Sequence, residues 1–344
     1  MNYLTTQNYR KSLRVSIGVI YLIIIAGAVV RMTGSGMGCP DWPKCFGYLI
    51  PPTERVELEF SPQTSYKEGM VIIVDEELKV ARKDFVTSSS YQESDWQPYT
   101  KHDYSTFNKF HTWTEYINRL IGALGGIAVL ITCIFSLKYL KTRPRITVLS
   151  VVALLGMLIQ AVIGKIVVDT NLSPVLITIH MIVALLIVGL LLYLLHEVLP
   201  VDKRYNSSRS FVRFTTVFIL LTLIQIALGT QVRQYVDHQV DLFGYPLNST
   251  WLENGPILFY VHRSYSILIV LLLSYFTYRG IRNYHHPRQA YYGLIAAVAI
   301  TVASGIAMNY LDFPFGSQAI HLVIASVILG LQFYLWMRVR VALR

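Results

Sequence analysis

Three histidines and an asparagine stand at corresponding places in four apolar stretches, a pattern that could bind a metal. His262 lies in FYVHRSYSILIV and His321 in QAIHLVIASVILG, each just inside one end of a run long enough to cross a membrane. The first half of the chain repeats the arrangement. Asn118 in EYINRLIGALGG stands to His262 as His180 in ITIHMIVALLIVG stands to His321. An imidazole in hydrocarbon is costly and normally has a partner or a task. Two neutral imidazoles facing one another across a four-helix bundle suit an iron porphyrin, whose flat apolar body fills the space between helices. Zinc would need four closer ligands, and no third histidine, cysteine or carboxylate stands at a helical spacing from His262 or His321. Haem is therefore the expected cofactor, with His180, His262 and His321 as iron ligands.

A porphyrin brings two carboxylates that need cations. Arg119 follows Asn118 as Arg263 follows His262, while Arg31 and Arg233 come four residues after Gly27 and Gly229. The planar guanidinium fork matches a carboxylate, so these four arginines are the candidate propionate ligands. Gly164, Gly229 and Gly305 would let a ring approach the backbone closely, although plain helix packing explains them equally well. Only the first half adds an acid: Glu115 follows His111 by four residues and precedes Asn118 by three, so the three share one helix face. A carboxyl group in that setting could exchange a proton or stabilise a developing cation on a substrate, or it could simply pair with Arg119. The asymmetry suggests that one half performs chemistry and the other transfers electrons. His102, His196, His238, His285 and His286 fall in loops or at helix ends and are read as solvated surface residues.

The elements that must position these residues are membrane helices. The 344 residues are 53% hydrophobic and 15% charged, with a mean hydropathy of +0.46, which is too apolar for a soluble domain. A bilayer of ~30 Å needs ~20 apolar residues per crossing. Eight runs qualify, near 14–32, 111–138, 146–168, 175–197, 211–232, 256–279, 290–309 and 317–338. The fold expected is an all-α integral membrane protein, a pseudo-twofold tandem repeat of two four-helix bundles divided as 1–200 and 201–344. Arg10, Lys11 and Arg14, the turn at 138–145, the linker at 203–213, the turn at 279–288 and the tail from Arg338 to Arg344 are basic, which places both termini in the cytoplasm. This topology accounts for the net charge of +10 and makes a nucleic-acid partner unnecessary. The basic, apolar start resembles a cleaved signal, but it is needed to complete the repeat and is expected to be retained.

Residues 33–110 form a long outer loop in which MVIIVDEELKVARKDF alternates as a small hairpin would. It begins with GSGMGCPDWPKC. Cys39 and Cys45, on the oxidising side with Pro40 and Pro43 between them, form either a short disulfide-closed loop or two unpaired thiols in a tight turn. Cys133 lies too far away to join them and is read as a packing residue.

RMTGSGMGCPDWP after the first span, EYINRLIG at the start of the second, and the H-R and I-H-L pairs at His262 and His321 resemble the haem A synthase family over all eight spans. Membership implies a bacterial cytoplasmic-membrane enzyme, an oxidoreductase that takes a methyl group of haem O through a hydroxymethyl stage to the formyl group of haem A. It implies substrate in the first half, a resident haem b between His262 and His321, and service to a haem A-containing terminal oxidase. A haem O-making prenyltransferase, an electron-transfer partner and a second copy of the chain are the partners expected beside the lipid. In one place the chain departs from the family pattern, which has histidine where Asn118 stands. The substrate haem is then held by His180, with the opposite axial position open, weakly occupied by Asn118 or filled by water. His111 is the alternative ligand, but it lies seven residues earlier, ~10 Å along the helix. Two other classes fit part of the pattern: a diheme b-type cytochrome oxidising a quinol, and a haem transporter or chaperone.

Overall fold

The computed structural model describes residues 3–100, 107–200, 207–252, 255–282 and 288–341. Eight long helices carry the chain: α1 Tyr3–Met32, α2 Lys109–Ser136, α3 Pro144–Asp169, α4 Pro174–Val198, α5 Arg209–Phe243, α6 Ile257–Arg282, α7 Arg288–Tyr310 and α8 Ser317–Val341. Each contains a segment long and apolar enough to cross a membrane. Even the shortest, α7 with 23 residues, reaches about 35 Å at ~1.5 Å per residue. The protein is a multi-pass membrane protein. Large apolar side chains on the helix outsides remain uncovered, as with Leu158 at 58% and Leu186 at 66%, which is the distribution lipid rewards and water penalises.

The helix starts are written locally. Proline stands first in α3 and α4, where its missing N–H removes nothing from the helix. The Ser208 hydroxyl accepts the amide of Phe211 at 3.1 Å to cap α5, and the Asn108 side chain accepts the amide of Phe110 at 2.9 Å ahead of α2.

The chain divides into two compact units. One comprises 1–28, 125–157 and 181–344 and so holds α5 to α8 whole. Its apolar clusters lie around Tyr9, Leu13, Leu191 and Leu194, and around Phe218, Phe276, Tyr291 and Leu294. Buried hydroxyl pairs link its helices: Tyr9 with Ser150 at 2.8 Å and Ser16 with Thr132 at 2.9 Å. Cys133 is free and buried among these helices.

The other unit comprises 29–124 and 158–180. Its long connection folds as a small β cap. β2 (Val71–Val74) and β3 (Glu77–Ala81) form the hairpin expected from MVIIVDEELKVA, and β5 (Trp96–Pro98) extends it to three antiparallel strands. The two turn residues, Asp75 and Glu76, both have positive φ, as a tight primed hairpin turn requires. β1 (Ser65–Tyr66) and β4 (Phe85–Val86) pair separately. Side chains alternate along β2, so Val71 and Ile73 join one cluster with Phe46 and Leu58 while Ile72 joins another with Tyr66 and Trp96. Burial on both faces explains why this strand is an unbroken apolar run too short to span.

Lys203, Arg204 and Arg344, part of the basic pattern used for topology, lie outside the described residues.

Candidate functional site

Two of the predicted ligands face each other. Pro256 precedes α6 and Gly316, at a φ of 86°, precedes α8, so His262 and His321 both ride on the second turn of their helices. Their rings stand 6.2 Å apart, centroid to centroid, at 61° to one another. Two metal–imidazole bonds of about 2.0–2.1 Å together with two half-rings span roughly 6 Å. The separation suits one metal ion between them and is too wide for a direct hydrogen bond.

Each imidazole lies on a glycine of the preceding helix. A Cβ added to Gly229 would come within 3.1 Å of His262 Cε1, one added to Gly305 within 3.3 Å of His321 Cε1, and one added to Gly164 within 3.6 Å of His180 Cε1. The three glycines singled out in the sequence therefore admit imidazole edges. One turn before two of them stands a glutamine that the sequence reading passed over. Gln225 Nε2 donates to the main-chain oxygen of His262 at 3.0 Å, and Gln160 Nε2 to that of His180 at 2.9 Å. The signal was present as an amide four residues before a glycine inside an apolar span, in both α3 and α5. His321 is held differently, with Nδ1 3.1 Å from Ser304 Oγ.

The residues of α2 serve the cysteine loop. Cys39 and Cys45 are joined in a disulfide. Glu115, 4% exposed, accepts the Cys39 amide at 2.8 Å and pairs with Arg119. Arg119 donates to the carbonyls of Asp41 at 2.7 Å, Lys44 at 2.9 Å and Cys39 at 3.3 Å. The loop in turn presses against the helix: a Cβ on Gly38 would fall 2.3 Å from the His111 carbonyl oxygen. The Thr112 hydroxyl donates to the Gly38 carbonyl at 2.8 Å. Gly47 N donates to Asp41 at 2.8 Å, and burial pushes the Asp41 carboxyl above the usual range. His111 Nδ1 lies 2.9 Å from Ser35 Oγ, and Asn118 Oδ1 is buried with no protein partner among the described residues.

Of the four arginines expected to meet carboxylates, Arg119 is committed to Glu115 and the loop. Arg233 pairs with Asp237 at 2.7 Å, and Arg263 lies over the rings of Phe259 and Tyr260 at 5.7 and 5.5 Å. Arg31 is in the last turn of α1. His238 is exposed and His196 half-buried; His102, His285 and His286 lie outside the described residues. Among the described residues no three metal-binding side chains cluster, so paired ligation is the arrangement on offer.

Fold and site define a polytopic α-helical membrane protein with half-buried histidines seated on glycines and a disulfide-closed loop clamped to a helix by an acid and an arginine. Comparison with known proteins narrows this further. The profile of the COX15-CtaA family, described as cytochrome oxidase assembly protein, matches residues 10–88 and 75–333, and the chain belongs to that family. Similar proteins named haem A synthase include one from Lysinibacillus sphaericus, 22% identical over 92% of this chain and 91% of its own length. One from Wolbachia sp. subsp. Brugia malayi is 23% identical over 91% of each chain. A third, from Shewanella oneidensis, is 28% identical over 63% of this chain, and the match spans about half of that relative, 54%.

Proposed function

We propose that the protein is a haem A synthase, an oxidoreductase that converts a methyl group of haem O to the formyl group of haem A for a terminal oxidase. The observation that carries this reading is the facing pair His262 and His321, 6.2 Å apart, in a chain of this family. The donor set fits a b-type haem: two half-buried imidazoles, each lying on a glycine that leaves room at its edge. His262 and His321 would hold that haem, with Arg233 and Arg263 as the carboxylate partners of its half, 201–344. When bound, the haem supplies one-electron redox chemistry.

The half 1–200 is read as the substrate side. His180, seated on Gly164, is the iron ligand for haem O, and Arg31 the partner for its propionates. Asn118, whose buried oxygen has no partner among the described residues, would offer the substrate haem a neutral group where the family has histidine. Glu115 is the carboxyl group of this half, its position fixed by Arg119 and the Cys39 amide. His111, whose Nδ1 lies 2.9 Å from Ser35 Oγ, is the alternative ligand on this side. The basic connections support cytoplasmic termini, the cap on the outer face and residence in the bacterial inner membrane.

Purified protein, incubated with haem O and reductant under air, tests the reading through chromatography of the extracted pigments. A formyl-bearing haem is expected. A protein that binds haem b but returns haem O unchanged would be an electron-transfer cytochrome instead.

A further inference from the structure

We propose that Gln160 and Gln225 are positioning residues that set the iron-binding imidazoles of His180 and His262; this rests on the haem-binding reading above. Each glutamine reaches across to the neighbouring helix and donates its amide hydrogen to the carbonyl of the histidine itself, at 2.9 and 3.0 Å. Each stands one turn before the glycine under that histidine's ring, so a single pair of turns holds both the main chain and the imidazole edge.

Packing and hydrogen-bond satisfaction do not account for these amides. A helical carbonyl already accepts from the amide four residues on, so the histidine carbonyl needs no second donor. The remaining amide oxygen, Oε1, is buried without a partner among the described residues in Gln160 and in Gln225 alike. Leaving a buried acceptor unsatisfied is unfavourable, and an apolar side chain would fill the same space without that cost. What the amide adds is register. It ties the turn of α6 carrying His262 to α5, and that of α4 carrying His180 to α3, fixing each ring's height over its glycine.

The third copy supports the same purpose by other means. Thr301 takes the glutamine's place one turn before Gly305, and the Ser304 hydroxyl holds the His321 ring directly at Nδ1. Hence the Ser304 hydroxyl holds the His321 ring, whereas the glutamine amides hold the main chain of His262 and His180.

The test uses the full-length, haem-loaded protein with Gln225→Met and Gln160→Met, which keep the side-chain length and lose the donor. The low-spin electron paramagnetic resonance signal of oxidised haem b reports how its two axial rings are set. Gln225→Met is expected to shift or broaden that signal and move the midpoint potential while haem content is retained. Gln160→Met should leave the haem b signal untouched and weaken haem O binding about tenfold, the scale on which groups orienting a ligand act. Should Gln225→Met fail to accumulate, Gln225→Asn, too short to reach the carbonyl, gives the same comparison and the same expected shift. A haem b signal and potential identical to the unsubstituted protein, or equal changes from both substitutions, overturns the positioning role alone. Absence of any haem from the unsubstituted protein removes the haem reading and this inference together.

Discussion

Glu115 and Arg119, one helical turn apart on α2, grip the Cys39–Cys45 loop from both chemical sides. The acid takes the Cys39 amide, the arginine gives hydrogen bonds to the carbonyls of Cys39, Asp41 and Lys44, and the two pair with each other. Arg119→Met leaves a buried carboxyl and three carbonyls without their partner. Removing one member of a buried pair costs about 3–5 kcal/mol, so thermal unfolding in detergent should move well below that of the parent, with early proteolysis near residues 39–45. An unchanged melting curve and cleavage pattern would show the clasp to be dispensable.

Glu115→Gln preserves shape and one acceptor for the Cys39 amide but removes the charge. The variant is expected to bind haem O and accumulate little haem A. Wild-type product levels would restrict the carboxyl to holding the loop.

His262→Ala and His321→Ala each take away one of two facing imidazoles. Either substitution should abolish the low-spin haem b absorption while leaving the helical circular dichroism intact. Persistence of that absorption in both variants removes the ligand assignment.

The glycines beneath the histidines give a graded series. A methyl group at Gly229 would meet His262 at 3.1 Å, at Gly305 it would meet His321 at 3.3 Å, and at Gly164 it would meet His180 at ordinary contact, 3.6 Å. Gly229→Ala should perturb the haem b spectrum most, Gly305→Ala less, and Gly164→Ala should be tolerated. Spectroscopy of the three variants side by side checks the order, and a uniform response contradicts it.

Asp41 predicts a pH dependence in the cap. Burial raises its carboxyl, offset only in part by the Gly47 amide and by Arg119. The folded protein therefore holds this proton more tightly than the unfolded chain. The stability it contributes is complete below the ordinary carboxylate range and is lost as pH rises through the elevated value. Asp41→Asn keeps an acceptor for Gly47 and cannot ionise, so its unfolding temperature should fall less between mildly acidic and neutral pH than that of the parent. Parallel curves for the two proteins would rule Asp41 out as the source.

Much of the site was legible because hydrocarbon makes polar residues conspicuous. His180, His262 and His321 stand out in apolar runs, and so does Glu115, since none is there without a function or a partner. The cap hairpin could be read from the alternation in DEELKVA and the apolar run MVIIV. Less legible were residues whose role depends on a neighbouring helix. Gln160 and Gln225 look like isolated polar interruptions until α4 and α6 are packed against them. Arg119 looked like a carboxylate ligand because sequence spacing cannot tell which acceptors the Cys39–Cys45 loop brings to its guanidinium.

Taken alone, the sequence determined the eight crossings, the family and the identity of the histidines, because span length, composition and motif are properties of contiguous residues. The fold alone decided that His262 and His321 face each other at 6.2 Å, that imidazoles rest on glycines, and that an acid and an arginine of α2 are turned to the disulfide loop. Those are distances between residues far apart in the chain, and packing sets them rather than spacing.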